Sequence, residues 1–503
     1  MHHVLCGLAA NPALPTELVD RLIGMADADV ASALASREDL SHAQAVALAG
    51  LGEETAVPLA YKGKLTAADI DPVTQPHAAL ALLDEGVGRP EWARLLATDP
   101  VVERREKLAG CPGLPPDVVK TLSADPDVRV VAELALWTTP DTATRLARHP
   151  HAEVRSAVAA NEATPPVVLA MLITGEGLPP AQRCLVCDRE ATPFVHGPHC
   201  PRPDCDLLPG AACDGSHQST VHRLHEEALR NPATPAESVV GFADHPSPLL
   251  RRQLAARSDL PRPVCARLAA DPSPGVRAEL AENPVIGEAL MHGMAADRDP
   301  DVRRSLAHNP DVPLGLLPSL ATATKIGSTL LPRIAAASPD EVKKLAESRH
   351  PALRMLLAER RDLPAEIVDA LAADPDAKVV KSIAPHPGLS DTRLRAMVDH
   401  HGVQVVAKVA ANPDASPALL EYLARHQPPA HKAFREIARH RKATPVALLA
   451  CLADKRARRI AAAHPALPPT AMADLLGDDD WLVVEAAAAN PSLPHAVMSE
   501  LVP

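Results

Sequence analysis

The residues best suited to do chemistry crowd into one short stretch of this 503-residue chain. Five of its nine cysteines fall between Cys184 and Cys213. Cys184-x2-Cys187 and Cys200-x4-Cys205 form two pairs with twelve residues between them. A short Cys pair makes a turn that aims two thiolates at one ion, and two such turns close a tetrahedral site. Cys184, Cys187, Cys200 and Cys205 are therefore the expected ligands of a structural zinc ion. A fifth cysteine and a histidine follow in Cys213-Asp214-Gly215-Ser216-His217. His199, beside Cys200, is the nearest reserve ligand. The stretch is rich in Gly and Pro and poor in apolar residues, so it needs a metal or cross-links to become ordered.

The elements that must position these residues belong to a repeat of about 26 residues, visible in three consecutive copies that start at Asn231, Arg257 and Asn283. About eighteen such units run along the chain, and the cysteine-rich stretch interrupts them between Asn161 and Asn231. Each unit reads as two short helices. The first opens at Pro, often after an N-capping Thr, as at Thr164-Pro165, Thr234-Pro235 and Thr444-Pro445. Thr234 and Glu237 have the spacing of a capping box. Apolar stripes follow, such as Leu18, Val19, Leu22 and Leu419, Leu420, Leu423.

The second helix opens at Asp-Pro (Asp125, Asp271, Asp299, Asp374) and carries apolar pairs such as Val302 with Leu306 and Val379 with Ile383. The Asn of the next Asn-Pro stops it, since Asn tolerates a left-handed turn and Pro cannot continue a helix. Segments this short are unstable alone and depend on stacking against their neighbours. The expected organisation is repeats over 1–174, a metal-binding insert over 175–222, and repeats over 223–503.

The pattern Asn-Pro-x-Leu/Thr-Pro…Leu…Asp-Pro…Val-Arg…Leu-Ala resembles the leucine-rich repeat variant family, with a looser likeness to HEAT repeats. That resemblance implies an all-α, right-handed superhelical solenoid of paired α- and 3-10 helices. Some members of the family carry an iron–sulfur cluster in a separate small domain. The Cys184 to Cys205 spacing is similar to that of zinc ribbons. Cys213-Asp-Gly-Ser-His217 resembles the core of the CDGSH iron–sulfur family, which implies Cys213 and His217 as cluster ligands. That family's upstream Cys-x-Cys is Pro203-x-Cys205 here. Zinc is the expected ion and an iron–sulfur cluster the alternative.

Arg129, Arg155, Arg277 and Arg303 recur after the core Val of the second helix, with Lys381 nearby in register. They could form a basic ridge for an acidic partner or a ladder of Arg–Asp contacts between repeats. We read a ladder, because Asp recurs in the same units. The remaining cysteines, Cys6, Cys111, Cys265 and Cys451, read as small core residues.

Composition bounds the function. Lys and Arg number 51 against 63 Asp and Glu, a net charge of −12, which argues against general binding to nucleic acid or anionic membrane. Apolar runs of about 20 residues, as a membrane span needs, are missing, and the N-terminal segment lacks the basic start of a signal peptide. A cytoplasmic location is expected, where clustered cysteines point to metal before disulfide. Catalytic motifs fail on inspection. His225-Glu226 has Leu229 where a zinc protease needs its second His, and Gly63-Lys64-Leu65-Thr66 has Pro58 where a phosphate loop needs Gly. The expected function is a non-enzymatic scaffold for a protein or peptide partner. The alternative is a redox or metal-sensing protein whose array docks a redox partner. With no polar caps evident at either end of the array, self-association through uncapped repeats is a further expectation.

Overall fold

A computed structural model of the chain describes residues 2–189, 194–195, 212–213, 217–323 and 329–503. Among these residues it is all-helical apart from one pair of two-residue strands, with 36 α-helices and a single 3-10 helix, Val240–Asp244. The α-helices run from four to thirteen residues and alternate as the two members of each repeat. The stripes read from the sequence face the core: Leu18, Val19, Leu22, Leu419, Leu420 and Leu423, and in the second helices Val302, Leu306, Val379 and Ile383. The chain is a helical repeat protein. Its repeats form two compact bodies, one of residues 66–316 and one of residues 1–65 with 317–503.

The Asn that opens a repeat does a different job from the one expected. Asn161, Asn231, Asn283 and Asn309 have φ from −63° to −72° and ψ from 116° to 126°, extended rather than left-handed. The residue after each is Pro or Glu, and Pro itself pushes its predecessor out of the helical region. The side chain is buried and ties one repeat to the one before. Asn309 Nδ2 donates to the carbonyls of Ala281 (2.9 Å) and Asn283 (2.8 Å), while its Oδ1 accepts from the Asp311 N–H (2.9 Å). Asn283, Asn412 and Asn490 repeat this arrangement at the same offsets. Where the position is not Asn, another long donor reaches the same kind of carbonyl: Arg37 to Ala9 and Asn11, Arg257 to Leu229 and Asn231, His440 to Asn412, and His464 to His440.

A second ladder uses charge. Arg105, Arg251, Arg277 and Arg354 each grip the Asp twenty residues on (Asp125, Asp271, Asp297, Asp374) through Nε at 2.6–2.7 Å. Each also donates to a carbonyl six residues back. Asp125, Asp271 and Asp374 are thus not helix caps. They take the arginine and the N–H two residues on, and Asp127 and Asp376 cap in two of these units. Asp299 alone of the four caps its helix directly. The sequence-named arginines divide accordingly. Arg277 is in the ladder, Arg303 donates to the Asp297 carbonyl, Arg129 stays exposed beside Asp127 and Glu103, and Lys381 is exposed.

Thr capping holds at Thr444, whose side chain accepts from the Ala447 N–H. At Thr164 and Thr234 the helix starts one residue later, after Pro165 and Pro235, and the capping box does not form. Their buried hydroxyls instead donate to the carbonyls of Val158 (2.7 Å) and Ala228 (2.6 Å) in the preceding helix.

The expectation of uncapped ends is corrected within the body of 1–65 and 317–503. Asn11 Nδ2 donates to the carbonyls of Ala488 (2.9 Å) and Asn490 (2.7 Å), as any Asn does to the repeat before it. The helix His2–Ala10 lies against Trp481–Ala488, so close that a Cβ on Gly7 would fall 2.5 Å from the Glu485 carbonyl oxygen. His3 stacks on Trp481 with centroids 4.8 Å apart, and Arg21 donates to the Val502 carbonyl. The first and last repeats therefore cover each other's apolar faces.

Because each Asn serves two carbonyls and an N–H, Asn309→Ala should cost about 2 kcal/mol, read from the urea midpoint. Asn309→His, which keeps a donor as at His440 and His464, should lose less.

Candidate metal centre

The insert leaves the array after helix Pro166–Thr174, where Gly175 takes a left-handed φ of 75°. It returns as helix Gln218–Arg230. The array closes behind it. Asn231 Nδ2 donates to the carbonyls of Ala159 (2.9 Å) and Asn161 (3.0 Å), so the two flanking repeats stack as consecutive units.

The described part of the insert is docked on helix Ala152–Ala160. The Ala152 N–H donates to the Arg183 carbonyl (2.9 Å), and the Gln182 N–H donates to the Pro150 carbonyl (2.8 Å). Ala152, Cys184 and Val186 form a small buried cluster. The Asp188 carboxylate joins His151 (3.1 Å) to Arg183 (2.9 Å). Thr220 donates to Glu153 at 3.0 Å. Arg155 stands at a ladder position but finds no Asp: it donates to the His149 and Pro179 carbonyls, and burial pulls its pKa down.

Three of the sequence-predicted ligands meet here. The side-chain donor atoms of Cys184, Cys187 and His217 all lie within 4.8 Å of one another. Cys184 Sγ is 3.6 Å from Cys187 Sγ, and Cys187 Sγ is 3.7 Å from His217 Nδ1. Tetrahedral zinc with ordinary bond lengths separates two sulfurs by roughly 3.8 Å and a sulfur from a nitrogen by roughly 3.5 Å. The sulfur separation is far beyond a disulfide bond of about 2.05 Å. The turn of the Cys pair is held by the Cys184 N–H donating to Cys187 Sγ at 3.2 Å. His217 is 4% exposed and has a φ of 57°, one of two non-glycine residues with positive φ among those described. Such a conformation costs on the order of 1–2 kcal/mol and tends to persist where surroundings impose it. Here it begins the helix and turns the imidazole to the thiols.

This grouping cuts across the two sets expected from sequence, since His217 joins the Cys184–Cys187 pair. In the sequence His217 stood out only through the resemblance of Cys213-Asp-Gly-Ser-His217 to the CDGSH motif. Strand Ala212–Cys213 pairs with Phe194–Val195 and borders both Leu185–Arg189 and Gln218–Arg230. His199, Cys200 and Cys205 lie outside the described residues, as does the side chain of Cys213. Of the scattered cysteines, Cys111, Cys265 and Cys451 are buried, and burial pushes Cys111 and Cys451 up to about 12. Cys6 is only partly buried.

No family model matches the chain, and no curated protein is found similar to it. It is similar to a solved structure described as a leucine-rich repeat variant with a novel repetitive protein structural motif, at 18% identity and a TM-score of 0.30, over 54% of this chain and 87% of that one. Among the described residues, no helix is long and apolar enough to cross a membrane.

A histidine cluster sits further along the returning helix. Burial, with His245 and His222 adding repulsion, pushes His225 down to about 4, and it meets Phe242 edge-on. Burial also lowers His149 and His245. These groups bind protons less readily folded than unfolded, so stability is fully present above pH 6.5 and is lost as pH falls toward about 4. The melting temperature should drop across that window, and His225→Gln should flatten the drop.

Proposed function

We propose that the chain is a non-catalytic repeat scaffold that binds a protein or peptide partner, and that a structural zinc ion held by Cys184, Cys187 and His217 fixes its insert. The convergence of two thiols and an imidazole at tetrahedral spacing is the observation that carries the metal. Zinc would bind these thiols as thiolates, and the binding energy would become folding energy for a segment with little core of its own. A fourth ligand from Cys200, Cys205 or Cys213 would complete the site.

The ion would also shape a surface. Leu185, between the two cysteines, lines a groove of about 420 Å³ on the second helices of the adjoining repeats, with Glu106, Arg129, Glu133, Glu153 and Glu227. Loss of metal would free one wall of that groove.

Metal analysis and a visible spectrum of anaerobically purified protein test this reading. A colourless protein with one zinc per chain is expected, and Cys187→Ser or His217→Ala should each weaken metal affinity by at least about tenfold. A brown protein with iron and sulfide would replace zinc by the iron–sulfur alternative. Crosslinking followed by mass spectrometry should recover a partner on the second helices.

A further inference from the structure

The cations of this chain are unevenly spread and unevenly used. From Lys378 to Arg459, fifteen Lys and Arg stand against six Asp and Glu, although the whole chain carries −12. Four successive second helices, Ala377–Ile383, Val403–Ala410, His431–Arg439 and Lys455–Ala462, hold ten of these cations and one acid, Glu436. In the body of 66–316 the corresponding arginines are largely consumed, as by Asp125, Asp271 and Asp297. Here Arg458 is spent on Asp478 and Arg439 on Glu436.

Of the eight that remain, four stand together: Lys381, Lys408, Lys432 and Arg435. All four line one groove of about 530 Å³ whose floor includes Val403 and Ala407, and whose one carboxylate, Glu436, is paired with Arg439. Among the described residues no carboxylate pairs with any of the four, and Arg435 Nε is buried without a hydrogen-bond partner. Val403 is 45% exposed, an apolar side chain open to whatever enters. Four cations on one groove are complementary to a partner that supplies carboxylates, while an apolar side chain of that partner covers the floor.

We infer that this groove binds an acidic peptide segment carrying an apolar anchor. Duplex nucleic acid fits less well: the net charge of the chain repels a long polyanion, and a phosphate backbone has no use for the apolar floor. The inference rests on the scaffold reading and names the chemistry of its partner.

The test uses the full chain and a fluorescein-labelled peptide of alternating Glu and Leu, followed by fluorescence anisotropy. Binding should weaken as salt rises. It should weaken by at least about tenfold in Lys408→Glu/Lys432→Glu/Arg435→Glu. Lys343→Glu/Lys344→Glu, exposed on another helix of the same body, should bind like the parent, with circular dichroism unchanged in both variants. Equal binding by the groove variant, absence of peptide binding, or tighter binding of a labelled DNA duplex through the same three residues would each overturn the inference. A partner crosslinked equally by parent and groove variant would overturn it too, while leaving the scaffold reading intact. Failure of the scaffold reading would show separately, as no partner crosslinked to either protein.

Discussion

The buried donor at the first position of each repeat is what the rest of the structure depends on. Two helices of seven to nine residues cannot hold themselves, and their last carbonyls would be left unsatisfied in the core. Asn283, Asn309, Asn412 and Asn490 satisfy those carbonyls from the next repeat, and so convert helix ends into inter-repeat bonds. Arginine and histidine replace asparagine at Arg37, Arg257 and His440 without loss of the bond, because the requirement is for reach and an N–H. The same geometry joins Asn11 to Ala488 and Asn490 within the body of 1–65 and 317–503.

That regularity explains how a long insert is tolerated. Asn231 makes the same bonds to Ala159 and Asn161 that it would make without any intervening residues, so the stack loses nothing. What the insert does displace is the charge ladder: Arg155 has no Asp and takes carbonyls, one of them from Pro179 of the insert. The insert is anchored on helix Ala152–Ala160 by backbone bonds and by Asp188, and the proposed metal site sits at that junction. A metal there would tie both ends of the insert, at Cys184 and His217, to one point.

Charge is handled by the same logic. Arginines placed to reach an Asp twenty residues on become structural, and largely buried pairs of this kind hold repeats in register. Cations one position away on the helix, such as Lys381 and Arg435, escape the ladder and face the groove. A one-residue offset on a short helix thus separates structural from available charge.

The repeat period, the pairing of short helices and the apolar stripes were legible in the sequence, because they depend on spacing and local propensity. Residue roles set by neighbouring repeats were not. Asn looked like a helix stop, Thr234 like a capping-box residue and Asp374 like a cap, since each has that local preference. Stacking reassigned them: buried carbonyls and an arginine from the adjacent unit bind these side chains more strongly than a local cap does. The Cys184, Cys187 and His217 grouping followed the same rule, for thirty residues separate the Cys pair from the histidine. Only the docking of both insert ends on one helix brings them within 4.8 Å.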